Sequence, residues 1–401
     1  MFQIKYFVKD CFSIKNMERK AKIHITEDSC FFKRFTSPSY LHKKLRKKGI
    51  TGLPKWFHEK ISTFLRETET PLDRRIPKTE ANRIQIAIRN RIEQAIVVYD
   101  NFASPPAHGD YINMVMLARW LSVCGMRTTF IIVNDERKSK DWKSLDTASR
   151  SSFVRFQQEI AEVFLDKKMT SVEVCTWPEI AGRLKEYDKA KIFIPFEKRV
   201  NKRKMVILRV FSTLNLLLAN ADKNLISQWM INRKDIEYSK EQNSIDLIKG
   251  PYLTWNIRRR KIVTLMNNTE SQIVYIYKYL SARFPEYKIV LLSDLNGCDY
   301  VKTIARKYNL EIIFSKDIKN NSTYLDDALL VLNSKFYFQF SGGGMSNIPF
   351  FSMIPYLVLQ KPLHFEKEYF NRGLIWAIKD QKFVVLNETS PLNYEEIISS
   401  Q

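Results

Sequence analysis

The chain is poor in the residues that build covalent and metal frameworks. Its five cysteines (Cys11, Cys30, Cys124, Cys175, Cys298) are odd in number, scattered and never spaced as CxxC. That excludes a disulfide framework as the organising device and favours a reducing compartment. The five histidines show no zinc-ligand spacing, and Asp-x-Asp does not occur, so neither a zinc site nor a metal held by paired acids is expected. No run of about 18 apolar residues is present, so no membrane-spanning helix is expected. The first residues, MFQIKYFVKDCFSIK, are interrupted by charge too often for a signal-peptide core. These absences together predict a cytoplasmic protein. Internal repeats, low-complexity tracts, GxGxxG and GxxxxGK[ST] are also missing.

What is present is a large, aromatic-rich and basic chain. At 401 residues with 45% hydrophobic and 13% aromatic content, it is long enough for two domains and too apolar for disorder. The net charge is +22, and residues 1–60 hold fifteen Lys/Arg against five Asp/Glu. Such a balance implies anionic company: nucleic acid, an acidic membrane surface or phosphorylated small molecules.

Residues 1–92 read as a basic helical extension, with apolar residues at helical spacing from Pro54 to Arg66 (Trp56, Phe57, Ile61, Phe64, Leu65). A first α/β domain is expected over 93–245. Its signals are the strand QAIVVYDNF, the loop and amphipathic helix of SPPAHGDYINMVMLARWLSVCG, and the strands MRTTFIIVND, SVEVCTW and KIFIPF, followed by one long apolar helix from Ser212 to Met230. A second series spans 246–365: PYLTWN, a helix capped by Thr269, YKIVLLSD, a helix, LEIIFSKD, a helix, KFYFQFSGGG and finally MIPYLVLQKP. Residues 366–401 are expected to pack back on the body. The fold class is thus α/β, with two Rossmann-like, doubly wound domains facing a cleft. Ligands in such sheets bind beyond the carboxyl ends of the strands, which places three loops together: 258–261, 293–296 and 341–347.

The first loop follows YLTWN with three arginines in a row. A solvated basic turn is one reading; the other is that Arg258 or Arg259 meets a diphosphate, since guanidinium offers a rigid fork of donors for phosphate. The third loop, FSGGGMSNIPFF, has Gly342, Gly343 and Gly344 in succession, so backbone N–H groups can converge on a closely approaching anion. Ser341 and Ser346 add hydroxyls there; the alternative is a permissive turn after a buried strand. Asp326 and Asp327 open a helix, where one suits capping and the other suits bracing a cation such as Arg258. Asp294 ends a strand and is suited to a nucleoside or to holding a loop. In the first domain His108 and Asp110 follow the first strand, and a strand-end His beside Asp suits a general base, although Asp110 also suits a helix cap.

Three of these motifs resemble the fucosyltransferase superfamily of GT-B glycosyltransferases, including α-1,6-fucosyltransferases and rhizobial nodulation fucosyltransferases. The family's H-x-R-R resembles Asn256-Ile257-Arg258-Arg259. Its strand ending in Ser/Thr-Asp before a helix resembles YKIVLLSDLNGCDYVKTIA, and its Asp…Leu-Ser…strand-Ser segment resembles DDALLVLNSKFYFQFSGGG. The resemblance covers roughly residues 250–360. It implies that Arg258 or Arg259 grips a donor diphosphate, that Asp326 or Asp327 braces the donor region, and that Ser341 and the glycines close around the phosphates. The family's His is Asn256 here, and its Thr-Asp after the arginines is Arg260-Lys261; Glu270 stands slightly later as a substitute carboxylate.

The expectation from residues and resemblance together is an inverting, metal-independent glycosyltransferase without a cofactor. Its donor would be a nucleotide sugar, GDP-fucose first, and its acceptor a hydroxyl of a glycan or lipid-linked molecule. The base would be His108, Asp110 or Glu270, and the basic extension would hold the enzyme near an anionic membrane or its acceptor. Two other readings stand beside it: a nucleic-acid-binding protein built on the basic first 90 residues, and a degenerate relative that binds sugar nucleotide without turnover.

Overall fold

Apolar runs bounded by turn residues pair into two parallel sheets. The computed structural model describes residues 71–101, 108–134, 147–186, 191–195, 197–200, 204–207, 210–219, 221–237, 248–257, 259, 267–318, 323–340, 344–360, 377 and 380–385. All belong to one compact unit, Glu69–Gln401. The helix expected at Pro54–Arg66 lies outside the described residues.

The first half runs α1 (Pro71–Arg89), β1 (Gln94–Asp100), α2 (His108–Val123), β2 (Arg127–Val133), α3 (Thr147–Phe164), β3 (Thr170–Cys175), α4 (Trp177–Glu186) and β4 (Lys191–Pro195). Its sheet is parallel, in the order β3-β2-β1-β4. An antiparallel pair not foreseen in the sequence follows, β5 (Glu197–Val200) with β6 (Lys204–Ile207). Then come α5 (Val210–Leu218), α6 (Lys223–Trp229) and α7 (Arg233–Glu237). The single helix expected over 212–230 is therefore two. Asp222 separates them: its carboxylate accepts from the Asn224 N–H at 2.7 Å and caps a new start.

Two further expectations change. The helix beginning at His108 is not amphipathic: Tyr111, Ile112, Met114–Ala118, Trp120 and Leu121 are all buried, because α2 packs against β1 and β2 and also against α3, α5 and α6. A helix apolar all round is a buried one. Meanwhile α1, assigned to the extension, packs on α5 and sends Ala81, Ile84 and Ala87 into the same core.

The second half runs β7 (Tyr252–Asn256), α8 (Glu270–Arg283), β8 (Lys288–Leu292), α9 (Leu295–Tyr308), β9 (Ile313–Phe314), α10 (Ser315–Ile318), α11 (Tyr324–Asn333), β10 (Tyr337–Phe340), α12 (Asn347–Phe350), β11 (Tyr356–Gln360) and β12 (Gln381–Val385). All neighbours are parallel, in the order β12-β11-β10-β7-β8-β9. Counted along this half alone, that is 6-5-4-1-2-3, the doubly wound order of dinucleotide-binding sheets. β12 comes from the segment expected only to pack back on the body. Thr269 caps α8 as read from the sequence, in a reciprocal box with Gln272 (2.9 and 3.3 Å).

Strand residues alternate between two cores. Leu253, Trp255, Leu291, Phe338 and Phe340 face one cluster with α8 and α9. Tyr252, Val290, Leu292, Tyr337 and Tyr356 face another, which continues without a break into Trp120, Phe130 and Trp229 of the first half. Across this seam the Trp229 and Phe351 rings meet edge to face at 5.5 Å, and the Ile231 N–H donates to the Phe351 carbonyl at 2.7 Å. The two halves are thus joined by a shared apolar core.

Candidate functional site

In the second sheet the strand order reverses between β7 and β10, so the loops leaving these two neighbours diverge and open a crevice at their carboxyl ends. The arginine run leaves β7 and the glycine run leaves β10. Arg258, Ser341, Gly342 and Gly343 lie outside the described residues; Arg259 and Gly344 flank the same switch point.

A buried polar network lies directly beneath. The Asn256 amide donates to the Tyr337 hydroxyl at 3.1 Å and to Gln339 Oε1 at 3.2 Å. The Tyr337 hydroxyl in turn donates to Gln339 Oε1. Burial raises the Tyr337 pKa, so its phenol stays protonated and keeps donating. All three residues are buried, and the network ties the last residues of β7 to β10 where the loops part. Sequence reading missed Tyr337 and Gln339, although a Gln inside the apolar strand FYFQF was the available signal.

Past β7, Ile257 is buried and Arg259 turns outward, its guanidinium carbon 3.5 Å from the centre of the Tyr300 ring on α9. Stacking uses the face of the guanidinium and leaves its in-plane N–H fork available to an oxyanion. Among the described residues that fork has no ion-pair partner. Asp294 is an exposed helix cap whose Oδ1 accepts from the Gly297 N–H at 2.8 Å. Gly297 is required by space, since a Cβ there would sit 1.9 Å from the Ser293 hydroxyl oxygen. This is the loop-holding role of the two considered for Asp294.

Asp326 and Asp327 divide their work. Asp326 closes a capping box with Thr323, accepting from its N–H and hydroxyl, each at 2.7 Å. Asp327 does brace a cation, Lys316 at 3.0 Å; Arg258, the partner considered for it, lies outside the described residues. Lys316 comes from α10, which follows β9 at the same carboxyl edge. Burial raises the Asp327 pKa, opposed chiefly by Lys316. The nearby Ser315 hydroxyl also favours the carboxylate, but neither it nor Asp327 Oδ1 makes a hydrogen bond of normal geometry.

In the first half β1 ends at Asp100, whose Oδ2 accepts from the Trp177 indole at 2.6 Å. Asn101 beside it exchanges amide hydrogen bonds with Gln157, both at 2.9 Å. α2 begins at His108, whose side chain lies outside the described residues, and Asp110 stands inside its first turn and not at the cap. The glycine-run side reaches this turn directly. The Asn347 amide, first residue of α12, donates to the Gly109 carbonyl and to Asn113 Oδ1, both at 2.9 Å. The segments Gly344–Ser346 and His108–Asp110, 234 or more residues apart, are therefore neighbours. Ser346 is buried and makes no side-chain capping bond to α12.

Glu270 does not join them. Its carboxylate takes Lys307 and the Tyr308 hydroxyl, both at 2.7 Å, and these hydrogen bonds, with the Lys307 charge, hold its pKa below the usual carboxylate range. Lys307 and Tyr308 end α9 while Asp294 caps its start, a separation of roughly 20 Å over fourteen residues. A distant carboxylate already paired with Lys307 and Tyr308 is unsuited to take a proton at the crevice, which counts against the base role considered for it. Among the described residues no three His, Cys, Asp or Glu side chains gather as metal ligands, and no helix is long and apolar enough to cross a membrane.

No protein-family model and no curated protein matches the chain. Among solved structures it is similar to a family 9 glycosyl transferase from Veillonella parvula (11% identity, 77% of this chain and 88% of that one, TM-score 0.44). It is also similar to the E. coli heptosyltransferase WaaC with ADP-2-deoxy-2-fluoro heptose (10%, 73% and 92%, 0.38). A third is the Methanocaldococcus jannaschii UDP-GlcNAc 2-epimerase in complex with UDP-GlcNAc and UDP (14%, 77% and 93%, 0.33). At such identities and scores the likeness assigns no activity.

Proposed function

We propose that the chain is a glycosyltransferase of GT-B type, inverting and metal-independent, that uses a nucleotide diphosphate sugar. One observation carries the reading: the switch point of a sheet in dinucleotide-binding order has an arginine run on one flank and a glycine run on the other. A diphosphate held there meets guanidinium forks from Arg258 and Arg259 and backbone N–H groups from Gly342–Gly344, the two donor types that suit spread negative charge.

The reaction follows. An acceptor hydroxyl oxygen attacks the anomeric carbon as the carbon–oxygen bond to the diphosphate breaks. The hydroxyl proton passes to His108 or Asp110 on the first turn of α2, which the Asn347 bonds tie to the start of α12. The electron pair leaves with the diphosphate, whose growing charge is taken by the arginines and the amides. GDP-fucose is the first donor to test, on the motif resemblance alone, and the acceptor is a glycan or lipid-linked hydroxyl on the cytoplasmic side.

The test is product formation from a panel of nucleotide sugars with wild type and Arg259→Ala. Turnover abolished in the variant is the expected result; near-normal transfer would sink the assignment. A second reading, donor binding without turnover, draws on Asn256, which stands at the family's His position and is committed to the buried network. Donor hydrolysis or transfer by the wild type excludes it.

A further inference from the structure

The face of the first sheet that carries Ile96 and Thr129 holds a cavity of about 340 Å³ at the amino-terminal ends of β1, β2 and β3. Arg127, Lys167 and Lys168 line it, with the hydroxyls of Thr129 and Ser171 on its floor, the latter donating to the former at 3.3 Å. None of the three cations has an ion-pair partner among the described residues, and no acid lines the cavity. Asp166, the acid next to the two lysines, has its Oδ1 engaged by the Lys168 backbone N–H at 2.9 Å. Three cations without an ion-pair partner among the described residues, over two hydroxyls able to donate, supply the donors that an oxyanion with several acceptor oxygens takes.

β1 separates this pocket from the crevice. Its seven residues run from Gln94, which lines the cavity, to Asp100 near α2, about 20 Å. We infer that the cavity is a second anion site, specific for a phosphate-bearing ligand and separate from the proposed donor site. A phosphate group seated there bridges Arg127 to Lys167 and Lys168, and a phosphorylated molecule of ordinary length binds at one edge of the sheet without reaching the other.

The test measures thermal stability in inorganic phosphate against chloride at equal ionic strength. It compares wild type, Arg259→Ala, the double variant Lys167→Glu/Lys168→Glu, and Arg127→Gln alone. A rise in Tm of about 2 °C at saturating phosphate that survives in Arg259→Ala but is lost in the double variant and reduced in Arg127→Gln supports the site. Co-sedimentation with phosphatidylglycerol vesicles then names the source: binding weakened by the double variant assigns a lipid phosphate, and unchanged binding a soluble one. A phosphate shift lost in Arg259→Ala yet kept in the double variant overturns this inference while leaving the donor site standing. No phosphate shift, with vesicle binding indifferent to the double variant, overturns it as well.

Discussion

Arg259 lies over the Tyr300 ring, and that contact is how a strand-end arginine is aimed. Replacing Tyr300 by Leu removes the stack but not the charge, so donor affinity should fall about two- to fivefold, a cation–π contribution at an exposed site, as read by calorimetry. Asp327 and Lys316 make a second, structural pair, with side chains 9% and 16% exposed. Asp327→Ala removes the carboxylate from a largely buried ammonium and should destabilise the fold by about 3 kcal/mol in urea unfolding. The double replacement Lys316→Met/Asp327→Leu should be far milder. Glu270 and Lys307 behave as a surface pair: the carboxyl is held below its usual range and the ammonium above its own, each mainly by hydrogen bonding to the other. Their stabilisation is present between the unfolded-state ranges of the two groups. It is lost as pH falls through the folded Glu270 value or rises through the folded Lys307 value. The melting-temperature difference between wild type and Glu270→Gln should accordingly be small at neutral pH and vanish in strong acid.

At the scale of elements, helix starts carry much of the order. Thr269 and Thr323 both close reciprocal boxes, and Asp222 and Asp294 cap by a single carboxylate. Of these caps Thr269 was read from the sequence, because a small polar residue before an apolar run has few other uses; Asp222 was overlooked because the apolar pattern resumes soon after it. Gly297→Ala should destabilise by about 1–3 kcal/mol, since Ser293 must move from where the new Cβ would stand. Asn347 is the element-level link between the proposed donor and acceptor sides. Asn347→Ala removes two hydrogen bonds across the halves, and kcat should fall roughly tenfold with donor affinity nearly unchanged. Equal losses in both would make the residue merely structural. Its role was not legible in SGGGMSN, because its partners Gly109 and Asn113 are 238 and 234 residues away.

For the molecule as a whole, the parallel α/β character was legible because strands buried on both faces read as unbroken apolar runs. YLTWN and KIVLL each form central strands where expected. Strand order was not legible: nothing local to QKFVV says that it adds a sixth strand beside β11. Nor does the α2 sequence announce that its polar-poor faces serve both halves at once. The basic balance of +22 pointed to anions without saying where. The two proposed anion sites, the switch-point crevice and the pocket at the far edge of the first sheet, would divide that demand. The central claim, a nucleotide diphosphate at the β7/β10 switch point, is tested most directly by isothermal calorimetry. Wild type and Arg259→Ala are titrated with GDP, UDP, CDP, ADP and dTDP. Binding of one diphosphate by the wild type, weakened at least tenfold in the variant, is the expected result; binding of none, or binding indifferent to Arg259, would contradict it.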